Sequence, residues 1–186
     1  MFYTIKRIRK SDPAAKSYLE VLLTYPGLHV LYWYRISRFF YLIKLHLLAK
    51  LIMNIGKFLT SIEIHPGARI GKGLFIDHGI GVVIGETTVI GNNVTIYQGV
   101  TLGGRGNETT VKRHPTLCDG VMIAAGAKVL GDIQIGKDAK VGANAVVLTD
   151  VPAGATAVGI PARIILKENK PENFDEICSL EISKTP

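Results

Sequence analysis

Cysteine is scarce: Cys118 and Cys178 are the only two among 186 residues, far apart and in no CxxC pair. That usage provides neither a disulfide framework nor a zinc ribbon, and it suits a reducing compartment, so the chain is expected in the cytoplasm. A secretory leader is also lacking, because the opening MFYTIKRIRKSDPAAK is basic but has no apolar run with a small-residue cleavage site. Nor is there a bilayer-spanning run. The most apolar stretch, 36–59, is broken by Arg38, Lys44, His46, Lys50 and Lys57, which leaves an amphipathic helix packed on its own protein and no membrane partner. The formal charge of +7 comes from thinly spread Lys and Arg, and no stripe of aromatic and basic side chains runs through the second half. Nucleic acid is therefore not an expected partner.

Glycine is abundant, at 20 residues against 8 prolines, a balance that suits regularly spaced turns better than a helical bundle. Between 18 and 59 the apolar residues recur three or four apart, as in Leu19, Leu22 and Leu23, then Val30, Trp33 and Tyr34, then Ile43, Leu47 and Leu51. Two or three helices are predicted, with a break at Tyr25-Pro26-Gly27. Ser11-Asp12-Pro13 reads as a helix N-cap followed by proline. From Glu63 the period changes to six: Ile64, Ile70 and Ile76; Ile84, Ile90, Ile96 and Leu102; Ile123, Val129, Ile135, Val141 and Val147. A small or apolar residue stands two places before each, and glycine often follows. Six is the period of a parallel β-helix, in which each hexapeptide supplies one short strand and one corner, and stacked coils bury the aliphatic ladder that no coil could bury alone.

The count breaks twice. Two extra residues fall within Asp77-His78-Gly79-Ile80-Gly81, and the repeat is lost over 104–117, a loop thrown out from a corner. Insertions in repeat proteins gather on the working face. The predicted organisation is a helical segment at 1–61, a mainly β unit at 62–165 and a tail at 166–186.

The segment Ile62-Glu63-Ile64-His65-Pro66-Gly67, then Ile76-Asp77-His78-Gly79, then Val82-Val83-Ile84-Gly85-Glu86-Thr87, resembles the serine O-acetyltransferases. So do the loop from Thr101-Leu102-Gly103-Gly104 to Lys112-Arg113-His114-Pro115 and the closing Gly159-Ile160-Pro161-Ala162-Arg163-Ile164. The resemblance runs from about 12 to 165, and the DHG turn with the long loop makes it specific. It implies a left-handed β-helix, acting as an oligomer with sites between subunits, that uses acetyl-CoA without a metal. By the same resemblance His78 is the general base and Glu63, in place of the usual aspartate, orients it. Asp77 and Asp12 bind the substrate amino group, and Arg113 and His114 receive its carboxylate. Gly104, Ala125 and Ala143 are the implied acetyl-CoA contacts, with Lys128, Lys140 or Arg163 for the phosphates. Almost nothing precedes Asp12, which favours a homotrimer over a hexamer paired through the helices. The C-terminus, Ser183-Lys184-Thr185-Pro186, is not the isoleucine with which the family docks into the cysteine-forming sulfhydrylase, so that complex is not expected.

The residues support these roles on chemical grounds. An alcohol is a poor nucleophile at neutral pH, so acyl transfer to it needs a base near pKa 7, which imidazole supplies. A carboxylate behind the ring fixes its tautomer, and Glu63 precedes His78 by fifteen positions, close to one coil. Backbone N–H groups around Gly103 and Gly104 are candidate oxyanion donors. The small residues Ala124-Ala125-Gly126 and Gly142-Ala143 would let a pantetheine arm approach the backbone. Three rival readings stand beside this one: an acetyltransferase acting on a sugar, a zinc enzyme using His65, His78 and His114, and a non-catalytic trimeric scaffold.

Overall fold

The computed structural model describes residues 1–106 and 110–166; Cys178 and, Leu166 apart, the tail at 166–186 lie outside them. Four helices come first: α1 (Phe2–Ser11), α2 (Tyr18–Thr24), α3 (Pro26–Leu42) and α4 (His46–Thr60). Ser11-Asp12-Pro13 closes a helix instead of opening one. Asp12 is the C-cap of α1 with extended backbone at φ −103° and ψ 112°, because the ring of a following proline disfavours the α region. The N-cap role falls to Ser17, whose hydroxyl accepts the Glu20 N–H at 3.1 Å and starts α2. Pro26 opens α3, so the expected break is also a helix start. Ser61, left-handed at φ 58°, ends α4.

The rest is a left-handed parallel β-helix with three walls. Wall A holds β1 (Glu63–Ile64), β4 (Val83–Ile84), β7 (Thr101–Gly103), β10 (Lys128–Leu130) and β13 (Val146–Val147). Wall B holds β2 (Arg69–Ile70), β5 (Val89–Ile90), β8 (Thr116–Leu117) and β11 (Gln134–Ile135). Wall C holds β3 (Phe75–Ile76), β6 (Thr95–Ile96), β9 (Met122–Ile123), β12 (Lys140–Val141), β14 (Thr156–Val158) and the antiparallel β15 (Arg163–Ile165).

Val83 pairs with Thr101, and Lys128 with Val146, so a regular coil is 18 residues. Glu63 pairs with Val83, 20 residues on, and Thr101 with Lys128, 27 residues on. Those two long steps are the insertions that the broken period marked. In each two-residue strand the second side chain points inward, and Ile64, Ile84, Leu117, Ile123 and Ile135 are all buried, as is Leu102 in the middle of β7. Leu117 pairs with Ile90 and Ile135, so the repeat resumes six residues earlier than the sequence period suggested. Each fully buried aliphatic side chain contributes roughly 1.5–3 kcal/mol.

The helices share that core: Val30, Leu31, Tyr34 and Met53 belong to the same buried cluster as the ladder. A second buried cluster joins Ile8, Val21 and Leu28 to Phe75, the outward residue of β3. Arg7 fastens α1 to wall C, its guanidinium donating to the carbonyls of Gly73, Asn93 and Val94 and, at 2.9 Å, to Thr95 Oγ1. Asp12, at the end of α1, and Asp77, on the turn from wall C to wall A, both act on Tyr25.

Candidate active site

Along the edge from wall C to wall A, the first turn carries the two extra residues. His78, Gly79 and Gly81 all have positive φ there, at 58°, 78° and 75°. Histidine tolerates this region better than most side chains, and its ring projects out with 71% of the side chain exposed. Asp77 is held by its backbone, its N–H donating to the Ile96 carbonyl at 2.9 Å, and one of its carboxylate oxygens lies 4.0 Å from His78 Nε2. Asp12 accepts the Tyr25 hydroxyl at 2.5 Å and the Ala14 N–H at 2.8 Å. The pKa of Tyr25 is pushed up, by burial first, then by its hydrogen bond to Asp12 and the negative charges of Asp12, Glu20 and Asp77. Both carboxylates expected to bind an amino group therefore act on one phenol, beside the candidate base.

Glu63 lies on the coil below, at the start of wall A, while His78 stands on the turn that leads into wall A one coil later. The two share an edge. The Glu63 carboxylate, however, is paired with Lys57 of α4 at 2.5 Å, and the carboxylate at the imidazole is that of Asp77. Above His78 on the same edge come Gln98-Gly99, then Ala125-Gly126, then Ala143-Asn144, linked by hydrogen bonds from Gly99 N–H to Ile80, Gly126 N–H to Gln98 and Asn144 N–H to Ala125. Glycine and alanine recur along this stack, and Ala125 and Ala143 lie in line with the turn that carries His78.

Arg113 and His114 occupy the other edge of wall A, where it turns into wall B. His114 is buried at 8% exposure. Its Nδ1 accepts the Thr87 N–H at 3.2 Å and lies 2.8 Å from Thr87 Oγ1, which places the proton of the neutral ring on Nε2. The ring lies so close over Gly85 that a side chain at 85 would overlap it. Arg113 donates to Glu86 at 2.6 Å, and Glu86 also accepts the Tyr41 hydroxyl at 3.0 Å. Burial disfavours the charged form of Glu86, but hydrogen bonds from Arg113 and Tyr41 and the charges of His65 and Arg113 outweigh it and hold the carboxyl below its ordinary value. His65 lies on this edge too, its pKa lowered chiefly by burial. A groove of about 890 Å³ runs beside it along wall B, lined by Arg38, Tyr41, Arg69, Glu86 and Arg113 among others.

One chain therefore presents two candidate half-sites. Asp12, Asp77, His78, Ala125 and Ala143 are on the first edge with Glu63 close by; Gly103, Gly104, Arg113 and His114 are on the second. Lys140 and Arg163 are exposed on wall C, away from the second edge, and Lys128, on wall A, donates to the Gly99 carbonyl on the first edge. His65 and His114 do not meet His78 within one chain, and among the described residues no group of three or more His, Cys, Asp or Glu side chains is disposed to hold a metal ion.

Comparison with known proteins identifies the family. Residues 114–149 match the family model of the bacterial transferase hexapeptide (six repeats). A serine acetyltransferase from Bacillus pumilus is 56% identical over 171 residues, 92% of this chain and 78% of that protein. One from Helicobacter pylori is 55% identical over 166 residues, 89% of this chain and 96% of that protein. The solved structure of soybean serine acetyltransferase complexed with serine aligns at a TM-score of 0.84 with 47% identity, over 88% of this chain and 67% of that one. The chain belongs to the serine acetyltransferase family.

Polar groups that the sequence did not single out stand beside both candidate half-sites. Tyr25 was read only as part of a helix break, yet it holds Asp12. Tyr41 gave no signal beyond helical periodicity, since its hydroxyl acts on a residue 45 positions away. Glu86 and Thr87 stood within the motif that carried the family resemblance, and their place on the corner beneath the protruding loop follows only from stacking the coils. No helix among the described residues is long and apolar enough to cross a membrane.

Proposed function

We propose that the chain transfers the acetyl group of acetyl-CoA to the hydroxyl of L-serine, giving O-acetylserine for cysteine synthesis. His78 takes the proton of the serine hydroxyl as that oxygen bonds to the thioester carbonyl carbon. When the C–S bond breaks, the protonated imidazole returns the proton to the departing sulfur, so CoA leaves as the neutral thiol. Glu63 steadies the imidazolium after exchanging Lys57 for the ring, and Asp77 and Asp12 hold the ammonium. Arg113 takes the serine carboxylate in a charge-assisted pair, and His114 shapes the pocket beside it.

The observation that carries this reading is the division of the candidate residues between the two edges of wall A. A hexapeptide side spans roughly 15–20 Å at strand spacing, too far for serine to touch His78 and Arg113 of one chain. A homotrimer in which one chain's first edge meets the next chain's second edge joins the base to the carboxylate receptor, as cyclic symmetry permits. The track of small residues beside Ala125 and Ala143 supports seating acetyl-CoA along the first edge. There Gly103 and Gly104 of the neighbouring chain supply N–H donors, and Lys140 and Arg163 lie within the reach of flexible phosphates. The outward stripe of α4, with Leu47, Leu51, Ile55 and Phe58 exposed, suits pairing of two such trimers through the helices.

A thiol-release assay with acetyl-CoA and a panel of serine, homoserine and sugars tests the reading. Serine is expected to give the highest kcat/KM. Preference for a sugar would overturn it, because Arg113 then has no carboxylate to receive.

A further inference from the structure

We propose that Glu86 is a positioning residue for Arg113 and that Tyr41 on α3 holds Glu86 in turn, so that the helical segment sets the carboxylate receptor from behind. The inference rests on the reading above, in which Arg113 receives the serine carboxylate. Arg113 sits at the base of a long loop, and a long side chain there samples many rotamers unless something selects one. Glu86 makes that selection with one oxygen, accepting from Nη2 at 2.6 Å, and the planar guanidinium keeps further donors for a second carboxylate. Its other oxygen accepts from Tyr41 at 3.0 Å, so each oxygen has a partner and the two together set the orientation of the carboxylate. The backbone of Gly67 closes the space below: a Cβ there would stand 3.0 Å from Glu86 Cγ and 3.1 Å from both Tyr41 Oη and His65 Nδ1.

His65 completes the support. Its Nδ1 accepts the Gly67 N–H at 3.1 Å, and its ring meets the Tyr41 ring edge-on with centroids 5.8 Å apart. Three separate parts of the chain, α3, the corner after β1 and the corner after β4, thus converge on one guanidinium. A half-exposed ion pair adds little to folding stability, so stability alone gives little reason for this convergence. A receptor that must meet a small carboxylate at fixed distance from a neighbouring chain's base does give one, because misplacement of about 1 Å can cost on the order of a hundredfold in rate.

The test is steady-state kinetics on the full chain, varying serine and acetyl-CoA separately, for Glu86→Gln, Tyr41→Phe, Arg113→Ala and the double variant Arg113→Ala/Glu86→Gln. Arg113→Ala is expected to raise the serine KM on the order of a hundredfold. Glu86→Gln is expected to raise it roughly tenfold and Tyr41→Phe roughly threefold, with the acetyl-CoA KM and kcat changed by less than about twofold. The double variant should match Arg113→Ala alone, since a positioning residue has nothing left to position. Should Glu86→Gln fail to fold, Tyr41→Phe and its double variant with Arg113→Ala decide the matter. An unchanged serine KM in Arg113→Ala overturns the carboxylate assignment and this proposal with it. A raised KM in Arg113→Ala together with an unchanged one in Glu86→Gln and Tyr41→Phe, or with full additivity in the double variant, overturns this proposal alone.

Discussion

The two edges of wall A treat their histidines in opposite ways. His78 stands on a turn enlarged by two residues, 71% of its side chain open to solvent and 4.0 Å from Asp77. His114 is buried against Gly85 and tied through Thr87, with Arg113 beside it tied to Glu86 and, through that carboxylate, to Tyr41. A group that must take and return a proton needs room and a neighbour that is not yet in place. A group that reads shape and charge gains from being fixed before the ligand arrives. On the proposed assignment the chain builds one half of each kind, and the fold keeps them a wall apart.

The comparison breaks most sharply at His78. Replacement by alanine is expected to lower kcat by a factor on the order of a hundred or more, as loss of a general base should, while both KM values and the oligomer persist. Unchanged turnover in a folded His78→Ala protein would show that the open edge is not the chemical one. Subunit mixing tests the wall itself. Co-assembly of His78→Ala chains with Arg113→Ala chains should restore activity at about one interface in four by random pairing around a cyclic oligomer. No recovery above the two parents would place both groups in one chain's site and remove the reason for comparing the edges.

Glu63 sharpens the open edge, because its carboxylate has two suitors. Glu63→Gln is expected to lower kcat roughly tenfold if the carboxylate steadies the imidazolium. Lys57→Ala frees the same carboxylate from its partner at 2.5 Å and is expected to leave kcat equal or higher. A fall in both variants would mean that the Lys57–Glu63 pair is itself what the edge requires. Tyr25→Phe, which removes the hydroxyl held by Asp12, should raise the serine KM by only a few-fold, as loss of one hydrogen bond does; an unchanged value would detach Asp12 from the amino group.

Much of the prism was legible in the sequence because a period of six leaves little choice: Ile84, Ile90 and Ile96 are buried where the count put them, and both breaks in period fell where coils lengthen. The open half-site was legible for the same reason, since His78 sits on an insertion. The closed half-site was legible only at its tip. Arg113 and His114 stood in a recognisable loop, whereas Glu86 and Tyr41 reach them through contacts 27 and 45 residues apart, set by coil stacking and by the docking of α3. The helices read least well. Residues 2–11 are mostly polar, and besides the packing of Ile8 in the second buried cluster α1 is fixed by the hydrogen bonds of Arg7 to wall C, which no local pattern announces.

The smallest effect separates positioning from stapling on the closed edge. The Glu86 carboxyl is held below its ordinary value because the hydrogen bonds from Arg113 and Tyr41 outweigh burial. A carboxyl depressed in the folded state stabilises the fold above the unfolded-state value, near 4.3–4.5, and loses that contribution as pH falls through the folded-state value. With side chains 40% and 34% exposed, solvent screens the pair, so its contribution stays under about 1 kcal/mol. Glu86→Gln should therefore melt no more than about 2–4 °C below the wild type at neutral pH for a chain of this size, and the gap should close in acid. The same substitution moves the serine KM tenfold if the carboxylate exists to aim Arg113. A large drop in melting temperature at neutral pH with an unmoved KM would reverse that ranking and make the closed edge a structural clasp, with no contrast left between it and the open one.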